Sequence, residues 1–191
     1  PIVTLNTDIH GLDSKLAFIG CDYINSGRLC GDVAMLALPQ GGSVGIVTGS
    51  FHILGHNQRI MGFREAVATN PNIRVLEVAE NKDDNDLSYQ VTKTLLTTHH
   101  PDLLYFCAAG TEGGMRAVTE ADYGCKVVVV DDVEPMREYL AQGALLAIVT
   151  QQPYRQGFMM VDLLYDFLVT AKRPEHVHNY MENQVRLQHS K

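Results

Sequence analysis

Apolar and polar positions along this chain switch repeatedly between a strand-like and a helix-like period. Residues 2–5 (IVTL) are a short β-branched run that predicts a strand, followed by the turn-prone Asn6-Thr7-Asp8. Residues 16–20 predict a second strand. Asp22 then stands as a helix N-cap before a helix over about 24–38, which Pro39-Gln40-Gly41-Gly42 ends. Residues 43–48 predict the third strand, with Gly49-Ser50-Phe51-His52 after it. A helix over about 56–68 follows, with Ile60, Phe63 and Val67 at helical spacing and Asn70-Pro71 as its stop. Residues 73–78 predict a strand, 80–86 a charged loop and 87–99 an amphipathic helix. Strands over 103–108, 125–130 and 145–150 alternate with helices over about 112–122, 135–142 and 154–170. The tail over 177–187 has room for one last strand.

Strands separated by helices of this length predict βαβ units, hence an α/β chain with Rossmann-like parallel sheets. In such sheets ligands bind beyond the carboxyl ends of the strands, so the informative residues are those just after each strand. They are Asn6, Thr7 and Asp8; then Phe51 and His52, with Arg59 shortly after; then Glu80 to Asp83, Ala109-Gly110-Thr111, Asp131-Asp132 and Gln151-Gln152. Acceptors, amides and one guanidinium suit a polyhydroxylated ligand, whose hydroxyls both donate and accept. Each residue also has a structural alternative. Asp131 or Asp132 caps the next helix, Arg59 lies on a helix surface, or Gln151 is an ordinary loop residue.

Composition narrows the function classes. The 191 residues are 46% hydrophobic and 19% charged, enough for one domain or two small lobes with a packed core. The net charge of −7 disfavours direct nucleic-acid binding by this chain. Cys21, Cys30, Cys107 and Cys125 form no CxxC pair and are expected to be reduced core residues, which points to a cytoplasmic location. No apolar run reaches membrane-spanning length, and no membrane partner is expected. The chain opens on Pro1 directly before a strand, which suggests that residues precede it. Catalytic signatures are missing: no phosphate-binding glycine loop after a strand and no nucleophile elbow. The histidines are scattered. His52 and His56 share one helix face at four-residue spacing, yet a zinc site needs further ligands. No enzymatic activity, metal or cofactor is therefore expected.

Several segments, in order, carry a resemblance. They are the opening PIVTLN, DYINSGRLCG at 22–31, VGIVTGSFHILGHNQRIMGF at 44–63 with its R-x-x-G-F, HHPDLLYFCAAG at 99–110, VVVVDD at 127–132 and GALLAIVTQQPYRQG at 143–157. Together the set resembles the effector-binding domain of lactose-repressor-type regulators and their relatives, the ribose-type periplasmic sugar-binding proteins. The resemblance implies the type I periplasmic-binding-protein-like fold, two lobes joined by hinge crossovers. It also implies that this chain has the first lobe incomplete (1–8 and 151–175) and the second whole (9–150 and 176–191). It implies that Arg59 and Asp131 bind ligand hydroxyls, Gln151 contacts ligand at the second hinge, Asn6 and Thr7 reach in from the first, and Phe51, His52 and Gly110 line the pocket. The main implied function is the sensor of a dimeric transcriptional regulator for a sugar or polyol effector. In that reading lobe closure drives the response, and DNA is reached only through a missing N-terminal domain. The alternative is a sugar-binding protein of an ABC transporter. Two departures stand out: Ala109-Gly110-Thr111 replaces a usual Asn-Asp, and Asn81-Lys82-Asp83 replaces an aromatic platform.

Overall fold

A computed structural model of the chain describes residues 1–9 and 11–190. His10 and Lys191, both inside the range predicted for the second lobe, lie outside the described residues. The elements in chain order are β1 (Val3–Leu5), β2 (Ala17–Cys21), α1 (Tyr23–Ala37), β3 (Gly42–Thr48), α2 (Leu54–Val67), β4 (Ile73–Glu80), α3 (Asn85–His99), β5 (Leu103–Phe106), α4 (Thr111–Ala121), β6 (Lys126–Val130), α5 (Glu134–Ala141), β7 (Ala147–Thr150), α6 (Pro153–Thr170), β8 (His178–Met181) and β9 (Gln184–Arg186). The chain divides into two compact units. The smaller comprises Pro1–Asp22 with Gln151–Gln184, and the larger Tyr23–Thr150 with the chain from Val185 onward. The resemblance ended the first lobe at Asp8 and at residue 175, but β2 pairs in parallel with both β1 and β8, which puts residues through Asp22 and the tail through Gln184 in the smaller unit.

The larger unit is a three-layer sandwich around a sheet of order β4-β3-β5-β6-β7-β9. From β4 to β7 the strands are parallel. Alternate residues of each strand serve opposite faces, as the pleat requires. Leu103, Tyr105, Cys107, Val128 and Val130 pack with Cys30, Ala34, Ile60 and Phe63 of α1 and α2. Leu104, Phe106, Val127 and Val129 pack with Leu95, Leu96, Met115 and Met136 of α3, α4 and α5. Strands buried on both faces read as the continuous apolar runs seen in the sequence.

Two glycines set how closely α1 and α2 approach. A Cβ on Gly27 would collide with the backbone carbonyl of Arg59, and one on Gly62 with the carbonyl of Ile24. The contact is reciprocal, each helix offering a glycine to the other's backbone, and it fixes the position of Arg59.

Element edges depart from the predicted ones for local reasons. The charged run was expected to be loop through Asp86, but Asp84 accepts the Leu87 N–H at 2.8 Å and starts α3 at Asn85. The turn before α2 closes on Ser50, whose carbonyl accepts the Ile53 N–H, so α2 starts at Leu54 rather than 56. The tail makes two strands rather than one: β8 joins β2, and β9 joins the sheet of the larger unit.

In the smaller unit, Leu16, Ala17, Phe18, Ile19 and Cys21 are buried. Burial alone would raise the pKa of Asp8, but hydrogen bonds from Lys15, Thr4 and the Ile9 N–H outweigh it and hold the carboxyl at about 2. Helix α6 packs on β1 and β2 yet buries only Gln156, leaving Tyr154, Phe158, Val161, Tyr165 and Leu168 exposed along one stripe.

Candidate functional site

The strand order locates the site before any side chain is considered. β3 comes first, β4 lies on one side of it and β5 on the other. The loops leaving β3 and β5 therefore diverge, and a crevice opens beyond the carboxyl ends of these two strands.

Arg59 sits at that crevice. It lies on α2, immediately after β3, and is 4% exposed. Its Nη1 donates to the carbonyl of Cys107, just past β5, at 2.8 Å, so one side chain spans the divergence. Its guanidinium lies 4.9 Å above the ring of Tyr23, the first residue of α1. Gly55 lets that ring in, since a Cβ there would press on it at 3.1 Å. Nη2 lies 3.9 Å from Oδ1 of Asp131, whose side chain is 43% exposed. The result is a buried donor fork, anchored at one end, with a partly open carboxylate beside it.

Asp131 and Asp132 resolve into different roles. Asp131 adopts φ +70°, a left-handed conformation that Asp tolerates better than most residues. Its N–H donates to the Val149 carbonyl at 3.0 Å. Asp132 is nearly buried and paired, accepting from Arg137 Nε at 2.7 Å and Arg186 Nη1 at 3.2 Å. Neither side chain caps α5, whose N-cap is Val133 with no side-chain bond. The capping alternative is thereby excluded for both.

The remaining predicted residues divide. Phe51 and His52 lie exposed on the loop after β3, with the Phe51 N–H donated to Glu80 Oε1 and the His52 N–H to Ser50 Oγ. Gly110 has a structural duty: it takes φ +81° ahead of α4, and a Cβ there would clash with Asn81 Nδ2. Asn6, Thr7 and Gln151 belong to the smaller unit. Asn6 follows β1 with φ +63° and donates its N–H to the Ile19 carbonyl. Thr7 is exposed, and its N–H donates to the Leu5 carbonyl. Gln151 is buried, its Oε1 accepting from the Cys21 thiol at 2.9 Å and its carbonyl from Gln156 Nε2 at 2.7 Å.

Four further residues take part in the crevice: Asn81 and Asp83 fall in the strand-end stretch Glu80 to Asp83 that the sequence marked without assigning either a role, whereas Tyr23 and His56 carried little signal. Tyr23 reads as an ordinary helix-start aromatic. Asp83 stands where an aromatic platform was expected, and it is the second of two successive left-handed residues, Lys82 and Asp83. It accepts the Ala109 N–H at 3.1 Å, and its carboxylate lies where a Cβ of Gly49 would be. The amide of buried Asn81 also closes on the Ala109 carbonyl, at 2.8 Å. His56 was noted only for its spacing to His52. Its Nδ1 accepts the Ser50 N–H at 3.1 Å, and burial pushes its pKa below the ordinary histidine value.

The guanidinium, carboxylates and amides gathered here can recognise a ligand by hydrogen bonds. Burial pushes the Cys107 thiol up to about 11 and the Cys30 thiol higher still, so both stay protonated. Among the described residues no group of three or more His, Cys, Asp and Glu is placed to hold a metal ion.

A periplasmic binding protein domain model matches residues 1–172. The chain belongs to the periplasmic binding protein domain family. The D-ribose/D-allose-binding protein of Pseudomonas aeruginosa is 26% identical over 164 residues, covering 83% of this chain and 50% of that protein. The chain thus spans about half the length of that curated relative. A solved glucose-galactose binding protein from Geobacillus stearothermophilus superposes with a TM-score of 0.90 at 24% identity, over 98% of this chain and 68% of its own. An ABC transporter periplasmic solute binding protein from Actinobacillus succinogenes, solved with bound D-allose, gives 0.89 at 21% identity with the same two coverages. These likenesses establish the periplasmic binding protein fold that the ordered motifs implied.

Proposed function

We propose that this chain is the sugar-recognising part of a solute-binding protein that serves an ABC transporter, and that the crevice of the larger unit holds the sugar. The observation that carries this reading is the pairing of a buried, anchored Arg59 fork with the partly open Asp131 carboxylate at the divergence of β3 and β5. A sugar presents neighbouring hydroxyls, each donor and acceptor. A guanidinium beside a carboxylate meets such a pair with one partner of each kind. Holding both groups in place beforehand lowers the ordering cost of binding.

The substrate class is an aldose or similar polyol. The relative from Pseudomonas aeruginosa is named for D-ribose and D-allose, and the Actinobacillus succinogenes protein was solved with D-allose. The names of these relatives favour the transporter branch of the resemblance over the regulator branch. With that choice the dimer, the operator DNA and the cytoplasmic location expected for a regulator give way to work outside the cytoplasmic membrane. The relatives are named as binding proteins, which suits capture without chemistry.

Isothermal titration calorimetry with D-ribose and D-allose tests the reading. The chain is expected to bind at least one of them, and Arg59→Met to weaken that sugar by roughly a hundredfold, the loss of a charged donor pair. Unchanged affinity in a folded Arg59→Met variant would sink the assignment.

A further inference from the structure

His56 lies among the charges of the crevice without a part in the Arg59–Asp131 pairing. It sits on α2, one turn before Arg59, and its ring is half-buried. Nδ1 accepts the Ser50 N–H at 3.1 Å. A ring nitrogen that accepts a hydrogen bond carries no proton, so the neutral ring holds its proton on Nε2. No group of the described residues accepts from that Nε2–H.

The loop that fixes the ring is itself fixed. Ser50 takes the Ile53 N–H on its carbonyl and the His52 N–H on Oγ, while Glu80 takes the Phe51 N–H and Asn57 Nδ2 donates to the Phe51 carbonyl at 2.7 Å. The charges bearing on the ring come from three sides: Arg59 on its own helix, Asp83 after β4 and Asp131 after β6. Protonation would set a second N–H against that of Ser50 and add a cation beside Arg59.

We propose that His56 is a ligand-binding residue of this site, a neutral donor whose Nε2–H is held in one orientation for an oxygen of the sugar. The inference rests on the sugar-binding reading above. It gives the crevice a second donor arm besides Arg59, with Asp83 and Asp131 as acceptors, and it makes capture sensitive to acid. Burial comes first and Arg59 adds to it in lowering the pKa, against the pull of Asp83 and Asp131. The neutral, binding-competent ring therefore persists below the ordinary histidine value and is lost as pH falls further.

Calorimetry with D-ribose and D-allose on the wild-type chain, His56→Gln, His56→Phe and the surface control His99→Gln tests it. Nitrogen NMR of the histidine rings is recorded on the wild-type samples. His56→Phe is expected to lose about tenfold in affinity. His56→Gln, which restores an N–H near Nε2, stays within about threefold. The His56 Nε2 signal moves when sugar saturates the wild type. Wild-type affinity holds from neutral pH through the ordinary histidine value and falls only below it, whereas that of His56→Gln does not fall there. A sugar bound equally well by wild type and His56→Phe, or bound without moving the Nε2 signal, overturns the donor role and leaves the sugar reading standing. A wild-type chain that binds neither sugar overturns both.

Discussion

Asp131 and Asp132 are neighbours with the same side chain and opposite employment. Asp132 is consumed by Arg137 and Arg186, while Asp131 is turned by its left-handed backbone toward Arg59. An acidic pair after the most apolar strand was visible in the sequence, and the resemblance pointed to Asp131; the backbone dihedral that sets the two apart was not visible. The same limit applies to His56, whose tautomer is set by the N–H of Ser50, six residues away. The dihedral gives a prediction independent of ligand. Asp131→Asn, which tolerates φ +70°, should change unfolding stability by less than about 0.5 kcal/mol. Asp131→Ala should lose about 1 kcal/mol to left-handed strain. Urea unfolding of the two variants measures the difference, and equal stabilities would mean that the backbone there is unstrained.

At the scale of elements, the periodicity of apolar residues revealed the helices and buried strands of the larger unit, since both faces of its sheet are covered and its strands read as unbroken apolar runs. It revealed less where a single hydrogen bond or a partner strand decides. Asp84 starts α3 inside a charged run, and the tail splits into β8 and β9 because each joins a different sheet. The helix pair that carries Arg59 depends on Gly27 and Gly62, which the sequence shows only as glycines inside helices. Gly27→Ala should lower stability by about 1–3 kcal/mol, because the new methyl meets the Arg59 carbonyl and α2 must shift. It should also weaken sugar binding by moving the guanidinium off the Cys107 carbonyl. Denaturant unfolding and calorimetry on this one variant check both effects; a wild-type profile in each would show that the helices separate without cost.

At the scale of the whole molecule, the two units differ in how much of themselves they bury. The larger has a core on each face of its sheet, while α6 of the smaller buries one residue of its eighteen. The resemblance led to the correct fold because its motifs fall at the carboxyl ends of successive strands, where open parallel sheets bind their ligands. It divided the chain differently at the first crossing and in the tail, since the pairing of β2 with β8 is a long-range contact that no local pattern announces. The central claim is that the carboxyl edge between β3 and β5 binds a sugar through Arg59 and Asp131. A crystal structure of the chain grown with D-allose tests this most directly. Sugar oxygens within hydrogen-bonding distance of the Arg59 guanidinium and the Asp131 carboxylate are the predicted result, whereas D-allose bound elsewhere, with those two groups untouched, would contradict it.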